Sequence, residues 1–408
     1  MNTPSPDDGR PADPSTSNAS HPTLPAPRRV RPLVAFPSPR LHVVVPTHNR
    51  ADLIVRCLGA LCEQTVSDLH VVVVDDASDS AARETLLRWQ DEHSDFNLSL
   101  FLNERNLGAN PSRNMGVAFA LSLIEDKRVG LVALLDNDSI AEPTWAENIV
   151  VPFDDDRVAA ATGLVLDPDP PNVWTLAYKG THRVVTRGPA HRMVSCNLCL
   201  RAEPLERFTF GEALSPNATT VGGAADTAVS GRSDEEGLYL KLKRAGYSVV
   251  SAPDAVVLHD HTYTARSFFK QAFRSGRAAA RLVYRYRLAH RLDMAPLAAA
   301  YLTLVPAALL APMLGAAPLL IPAMCFAAAV AAYLYNERSR KRKAFGEITR
   351  SFHVVLLYYH VRLAGYLLQH ARFAFRVERP PRFDLASIRP RFTDQATTKA
   401  FADDRRRV

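Results

Sequence analysis

Short apolar runs alternate with stretches of helical period through the first part of the chain. Residues 41–45 read Leu-His-Val-Val-Val and residues 69–74 Leu-His-Val-Val-Val-Val, while 129–135 is an apolar run closing on Leu135. With 97–102 these predict four strands. Between them, 51–64, 80–92 and 111–124 carry apolar residues at helical spacing and predict helices. Strands alternating with helices build a parallel, doubly wound sheet, and near-continuous apolar runs belong to strands covered on both faces. Such sheets bind ligands beyond the carboxyl ends of their strands. Four polar or acidic loops fall there: 46–50, 75–79, 106–114 and 136–139. Further on, 235–245 predicts a helix, and 248–250 and 255–258 predict short edge strands. The Gly-, Ala- and Ser-rich stretch 211–233 predicts a mobile loop.

A second pattern takes over downstream. From Met294 to Asn336 there is no charged residue. One bilayer crossing needs ~20 apolar residues, so this stretch is long enough for two. Pro318, after Gly315-Ala316-Ala317, marks a turn between a span near 297–314 and one near 319–335. Arg and Lys flank both sides, over Arg281–Arg291 and Arg338–Lys343. Positive flanks face the cytoplasm, and two such flanks require an even number of crossings, hence a hairpin. A single long tilted span and a buried soluble helix pair are the alternatives. Residues 266–291 and 352–376 interleave basic and apolar positions, and the latter reads as an amphipathic helix lying in the interface. The Pro-, Ser-, Asp- and Asn-rich residues 1–40 predict a disordered tail, and those from Glu378 a polar, extended one. The chain thus divides into 1–40, a domain over 41–277, membrane-associated helices over 278–377, and a tail over 378–408.

Composition refines this picture. Of 408 residues 47% are apolar, and the net charge of +7 is concentrated in the last third, beside the apolar stretch. That points to a membrane surface. Nucleic acid is disfavoured as a partner, since no finger, RNP-type motif or basic zipper is present. Five scattered cysteines make no disulfide framework and favour a reducing compartment. Cys196 and Cys199 form a lone Cys-x-x-Cys with no second pair at zinc spacing, and read as buried thiols. Residues 1–40 lack an apolar core of signal-peptide length.

The candidate chemistry centres on Leu135-Asp136-Asn137-Asp138-Ser139. Two carboxylates one residue apart at a strand end suit a hard divalent cation that is also held by diphosphate oxygens. An acidic turn is the alternative. Other segments stand in register with it: Val-Val-Val-Pro-Thr-His-Asn-Arg (43–50), Val-Val-Asp-Asp-Ala-Ser (73–78) and Asn-Leu-Gly-Ala-Asn-Pro-Ser-Arg-Asn-Met-Gly (106–116). Cys-Asn-Leu-Cys-Leu-Arg (196–201), Asp-Glu-Glu-Gly-Leu (234–238), Arg-Ala-Gly-Tyr (244–247) and Val-Leu-His-Asp-His (257–261) follow. Together, over Leu41 to Arg277, these resemble the family 2 glycosyltransferases of the GT-A fold.

The resemblance implies an α/β protein with a doubly wound mixed sheet, Rossmann-like in its nucleotide half, followed here by a C-terminal helical, membrane-associated region. It implies a nucleotide-sugar donor bound by Pro46, Thr47, Asn49, Arg50, Asp75 or Asp76, Asn106, Arg113, Asp136 and Asn137. Asn106 and Gly108 can equally serve to shape a turn. Mg²⁺ or Mn²⁺ would be held by Asp136 and Asp138, with His259 as a late ligand and His261 as its rival by register. Counting back from Arg244 places Glu235 at the position of the catalytic base, where Asp is commoner, and Asp234 is the alternative. Asn197 falls in the segment that lines the sugar pocket in relatives. Gln271 and Arg274 resemble part of the Gln-x-x-Arg-Trp acceptor motif, with Ser275 in place of Trp. Phe208-Thr209-Phe210-Gly211-Glu212 stands where Gly-Gly-Phe-Asp is common. The activity implied is inverting transfer to a hydroxyl of a lipid-linked or cell-envelope glycan, with the catalytic domain on the cytoplasmic face of the cell membrane. The rival readings are a nucleotidyltransferase, which lacks support from a Gly-rich, Lys-bearing first loop, and a non-catalytic membrane scaffold retaining the fold.

Overall fold

The structure is a computed structural model and describes residues 28–29, 41–182, 187–210, 233–286, 294–378, 388 and 391. The expected disordered tail apart from 28–29, the expected mobile loop up to residue 232, the first basic flank beyond Tyr286 and most of the polar tail lie outside the described residues.

The strands are β1 (Arg28–Arg29), β2 (Leu41–Thr47), β3 (Leu69–Asp75), β4 (Leu98–Leu102), β5 (Leu131–Leu134), β6 (Ser139–Ala141), β7 (Val158–Leu166), β8 (Gly188–Pro189), β9 (Leu198–Arg201) and β10 (Ser248–His259). The helices are α1 (Ala51–Cys62), α2 (Ser80–Glu92), α3 (Ala109–Leu123), α4 (Trp145–Val150), α5 (Val173–Tyr178), α6 (Ala202–Leu205), α7 (Ser233–Arg244), α8 (Ala265–Tyr286), α9 (Ala295–Leu314), α10 (Leu320–Tyr335) and α11 (Phe345–Ala374).

The strands form one mixed sheet in the order β1-β4-β3-β2-β5-β9-β7-β10-β6, with β8 also on β10. Every residue of β2 and β3 is buried, as the apolar runs predict. Alternate side chains go to opposite faces. Val44, Val72 and Val74 join α3 and α7 in one core, while Val43, Val45, Val71 and Val73 join α1 and α2 in the other. The parallel set β4, β3, β2, β5 is the nucleotide half that the strand–helix alternation predicts. β9 then runs antiparallel to both β5 and β7, and β10 is parallel to β7. Two reversals restore the direction, so β10 ends at the same edge as β2, β3 and β5.

Two expectations change in detail. Residues 248–250 and 255–258 are one strand, flanked by β7 and β6 rather than at an edge. Its register shifts between Ala252 and Val256, where Pro253 offers no N–H to the ladder. In the expected tails, Arg28–Arg29 pair antiparallel with β4, and Ile388 is buried in the core while the Arg391 N–H bonds the Ala245 carbonyl at 2.7 Å.

α9 and α10 match the two expected spans and are joined through a turn at Gly315. Their apolar side chains face outward: Leu302 is 77% and Met313 82% exposed. α11 begins earlier than expected. Its Val354, Val355, Leu363 and Tyr366 pack on α5, α8 and α9, while Leu357, Leu367 and Leu368 face outward.

Candidate active site

The carboxyl ends of β2, β5 and β10 meet at Asp138. β5 stops at Leu134, and the chain turns through Asp136–Asp138 into β6. β6 pairs antiparallel with β10 so that Ser139 faces His259, and the Asp260 N–H bonds the Asp138 carbonyl at 2.7 Å. This register brings His259 at the end of β10, and His261 just beyond it, to the Asp138 side chain. Asp138 is 4% exposed. His261 Nδ1 lies 3.0 Å from Oδ2, His259 Nε2 lies 3.2 Å from Oδ1, and Arg50 Nη1 lies 2.7 Å from Oδ2. The expected ligand and its rival therefore both reach the same carboxylate.

Burial would raise the Asp138 carboxyl, but the adjacent His259 and His261 rings outweigh it and hold the group well below the usual carboxylate range. Burial likewise opposes charge on His259, yet Asp138, Asp136 and Asp167 raise its pKa above the ordinary imidazole value. The set Asp138, His259 and His261 could hold a divalent ion. Asp138 Oδ1 is buried without an aligned hydrogen-bond partner, as a ligand oxygen would be. One carboxylate oxygen and two imidazole nitrogens are all groups that ligate divalent metal ions.

The neighbouring residues divide between two tasks. Asp136 Oδ1 accepts from Arg113 Nη2 at 2.5 Å, and Asn110 Oδ1 accepts from Arg113 Nη1 at 3.1 Å. Asn137 Nδ2 donates to Thr47 Oγ1 at 3.0 Å, tying the β5 end to the β2 end. Asp76 accepts from the Leu107 and Gly108 N–H groups at 2.8 and 2.7 Å and from Asn103 Nδ2, so it shapes the loop that carries Asn106. Asp75 accepts from Arg83 Nε at 2.8 Å and from the Ser78 N–H. Asn49, with φ of 50°, accepts from the Asp79 N–H. Pro46 lies within β2.

Glu235 is half-buried near the start of α7, whose first two side chains, Asp234 included, lie outside the described residues. The Cys196 thiol is buried nearby. Its pKa is pushed up first by burial and then by the carboxylates of Asp136, Asp138 and Glu235. Asn197 is fully committed inside the sheet: Oδ1 accepts from Trp145 Nε1, and Nδ2 donates to the Leu164 and Ala255 carbonyls. Gln271 and Arg274 are half-buried on α8. Among the described residues no hydrogen bond links them to Asp138.

Two neighbours escape sequence reasoning. Arg83 pairs with Asp75 from α2, and the His182 ring packs edge-on against His259 at 5.3 Å. An Arg on the first turns of a helix gives no signal of its own, and His182 lies in no motif.

The family model for glycosyl transferase family 2 matches residues 42–206. Glycosyltransferase AglE of Haloferax volcanii is 29% identical over 27% of this chain and 34% of its own length, so the chain spans only about a third of that relative. O-antigen chain rhamnosyltransferase RfbN of Salmonella typhimurium is 24% identical over 58% of this chain and 71% of its own. Among solved structures, mannosyltransferase PcManGT from Pyrobaculum calidifontis, in complex with GDP-Man and Mn²⁺, is 20% identical with a TM-score of 0.48, covering 83% of this chain and 91% of that one. Residues 42–206, which carry Asp76, Arg113, Asp136 and Asp138, are thus similar to the family 2 glycosyltransferases.

Proposed function

We propose that this chain is a membrane-anchored, metal-dependent, inverting glycosyltransferase that moves a sugar from a nucleotide-sugar donor to a hydroxyl of a lipid-linked or cell-envelope glycan at the cytoplasmic membrane face. The observation that carries the reading is Asp138 at the shared edge of the sheet, with His259 and His261 both on its carboxylate. The likeness to an O-antigen chain rhamnosyltransferase over more than half of this chain supports a glycan acceptor. Two outward-facing apolar helices support the anchor.

Asp138, His259 and His261 would hold the ion, with Asp136 beside them. When bound, Mn²⁺ or Mg²⁺ supplies Lewis-acid stabilisation of the departing nucleoside diphosphate. Arg113 presents a planar cation next to Asp136, suited to diphosphate oxygens or to the base. Asp76 fixes the loop that would lie over the nucleotide, and Asn137 with Thr47 fixes the floor. Glu235 accepts the acceptor hydroxyl proton as that oxygen attacks the anomeric carbon and the carbon–phosphate-oxygen bond breaks on the opposite face. One displacement inverts the centre and needs one base, and Asp234 is the alternative base.

A screen of nucleotide sugars with Mn²⁺, scored by donor hydrolysis and transfer, tests the reading. Glu235→Gln should lower transfer by about 10²–10⁴-fold, the range of general-base contributions, while nucleotide affinity persists. Asp234→Asn should change it little, and the opposite pattern assigns the base to Asp234. Nucleotide binding that ignores both Mn²⁺ and Asp138→Ala, with no turnover of any donor, would sink the proposal.

A further inference from the structure

His259 belongs to a second group of ligand atoms. One each from His182, Cys196 and His259 lie within 4.8 Å of one another. The three come from separate parts of the fold: His182 follows α5, Cys196 sits in the short 3-10 turn before β9, and His259 ends β10. The 5.3 Å edge-on contact of the His182 and His259 rings holds two of them together. Cys196 is 2% exposed and His259 8%. This set differs chemically from the one at Asp138. It offers a sulfur and two imidazole nitrogens, with no carboxylate among them.

Thiolate and imidazole together select soft or borderline ions, whereas carboxylate and phosphate oxygens select hard ones. Three protein ligands with one position left open is a common arrangement for zinc. Ligand atoms at ~2.0–2.3 Å from a tetrahedral ion stand about 3.5 Å apart, so closing this set needs side-chain movement on the order of 1 Å. We propose that His182, Cys196 and His259 form a site for a soft divalent cation of the zinc class, separate from the hard-cation position at Asp138. The two share His259, so a soft ion engages a side chain that the nucleotide-linked ion also needs. On binding, the Cys196 S–H bond breaks, the proton leaves to solvent and a sulfur–metal bond forms. No oxidation state changes.

The test uses the full chain in detergent, stripped of metal, loaded with Zn²⁺ or Co²⁺ and freed of excess ion. The wild type should retain one equivalent of Zn²⁺, and with Co²⁺ should show a thiolate-to-metal charge-transfer band in the near ultraviolet. Cys196→Ser, close to isosteric, should lose the band with an unchanged melting temperature. His182→Ala should weaken Zn²⁺ retention by at least ~10-fold. His261→Ala should keep both signals, because His261 belongs to the other set alone. A wild type without the band overturns the proposal and needs no variant to do so. Zn²⁺ kept by Cys196→Ser but lost by His261→Ala also overturns it, by locating the ion at Asp138. No donor or acceptor enters these readouts, so they stand or fall apart from the proposed transferase activity.

Discussion

His42 lies in β2 with Nδ1 2.9 Å from Nδ1 of His70 in β3, and His70 Nε2 is 2.9 Å from Ser99 Oγ in β4. All three are buried. Two ring nitrogens at that separation share one proton, so one donates and the other accepts. Burial lowers the His42 pKa from 6.5 to about 4. The unfolded chain therefore binds the proton near pH 6.5 and the folded chain only near pH 4. Between those values the unfolded state holds more protons, so stability is complete above the window and falls as pH falls through it. The full loss is about 3 kcal/mol, at about 1.4 kcal/mol per pKa unit. His42→Val should flatten this dependence, its melting temperature dropping less than the wild type's between about pH 7 and about pH 5. Equal drops would show that His42 does not report its burial. At this scale the sequence is legible where geometry is local. Asp136 and Asp138 can be read because an apolar strand must end there. The approach of Cys196 to His182 and His259 cannot be read, because it depends on β9 inserting between β5 and β7, a long-range pairing with no local signal.

Helix packing supplies the next constraint. α8 and α11 cross at two glycines. A Cβ on Gly276 would sit 1.9 Å from the Arg362 carbonyl oxygen, and one on Gly365 would sit 2.3 Å from the Phe273 carbonyl oxygen. Both obstacles are backbone, so neither can swing away. Alanine favours a helix over glycine by ~1 kcal/mol, but overpacking of this kind costs ~1–3 kcal/mol. Gly276→Ala and Gly365→Ala should therefore lower stability in detergent. Gly346→Ala, with nothing within 4 Å of the new Cβ, should be neutral or slightly stabilising. Thermal melting of the three variants decides the matter, and a Gly276→Ala protein as stable as Gly346→Ala would refute the close crossing. Amphipathic spacing reveals both helices, because each period is local. It does not reveal that they pack on one another, because small residues within an apolar pattern also occur where nothing approaches. β10 shows the same limit. Residues 248–250 and 255–258 read as two short strands, whereas in the sheet they are one strand with a register shift between Ala252 and Val256.

The whole molecule sets a folded α/β domain against a helix pair that carries its apolar residues on the outside. Leu302, Leu309, Met313 and Met324 are all largely exposed. Burying a Leu or Met side chain is worth ~1.5–3 kcal/mol, so a pair with this surface gains far more from lipid than from water. Arg338 and Arg340 follow the second helix, and Arg281 and Arg285 precede the first. Buried Glu337 receives Lys341 and Lys343 at 2.7 and 2.6 Å, and both lysines reach the Ala177 carbonyl in the last turn of α5. The exit of the hairpin is thus bonded to the domain that bears Asp138. If α9 and α10 cross as a hairpin, that domain and both basic flanks lie on one side and Gly315 on the other. The chain carries its own reporters. Cys62 is exposed on the catalytic domain, and Cys325 lies within α10. A membrane-impermeant thiol reagent applied to spheroplasts should label Gly315→Cys at the turn while leaving Cys62 unmodified until the membrane is opened. Cys325 should resist labelling in both states until detergent is added. Labelling of Cys62 and the Gly315→Cys thiol from the same side would replace the hairpin with helices that lie on the membrane or within a soluble assembly. A label on Cys62 alone in intact spheroplasts would reverse the orientation and move the acceptor to the outer face.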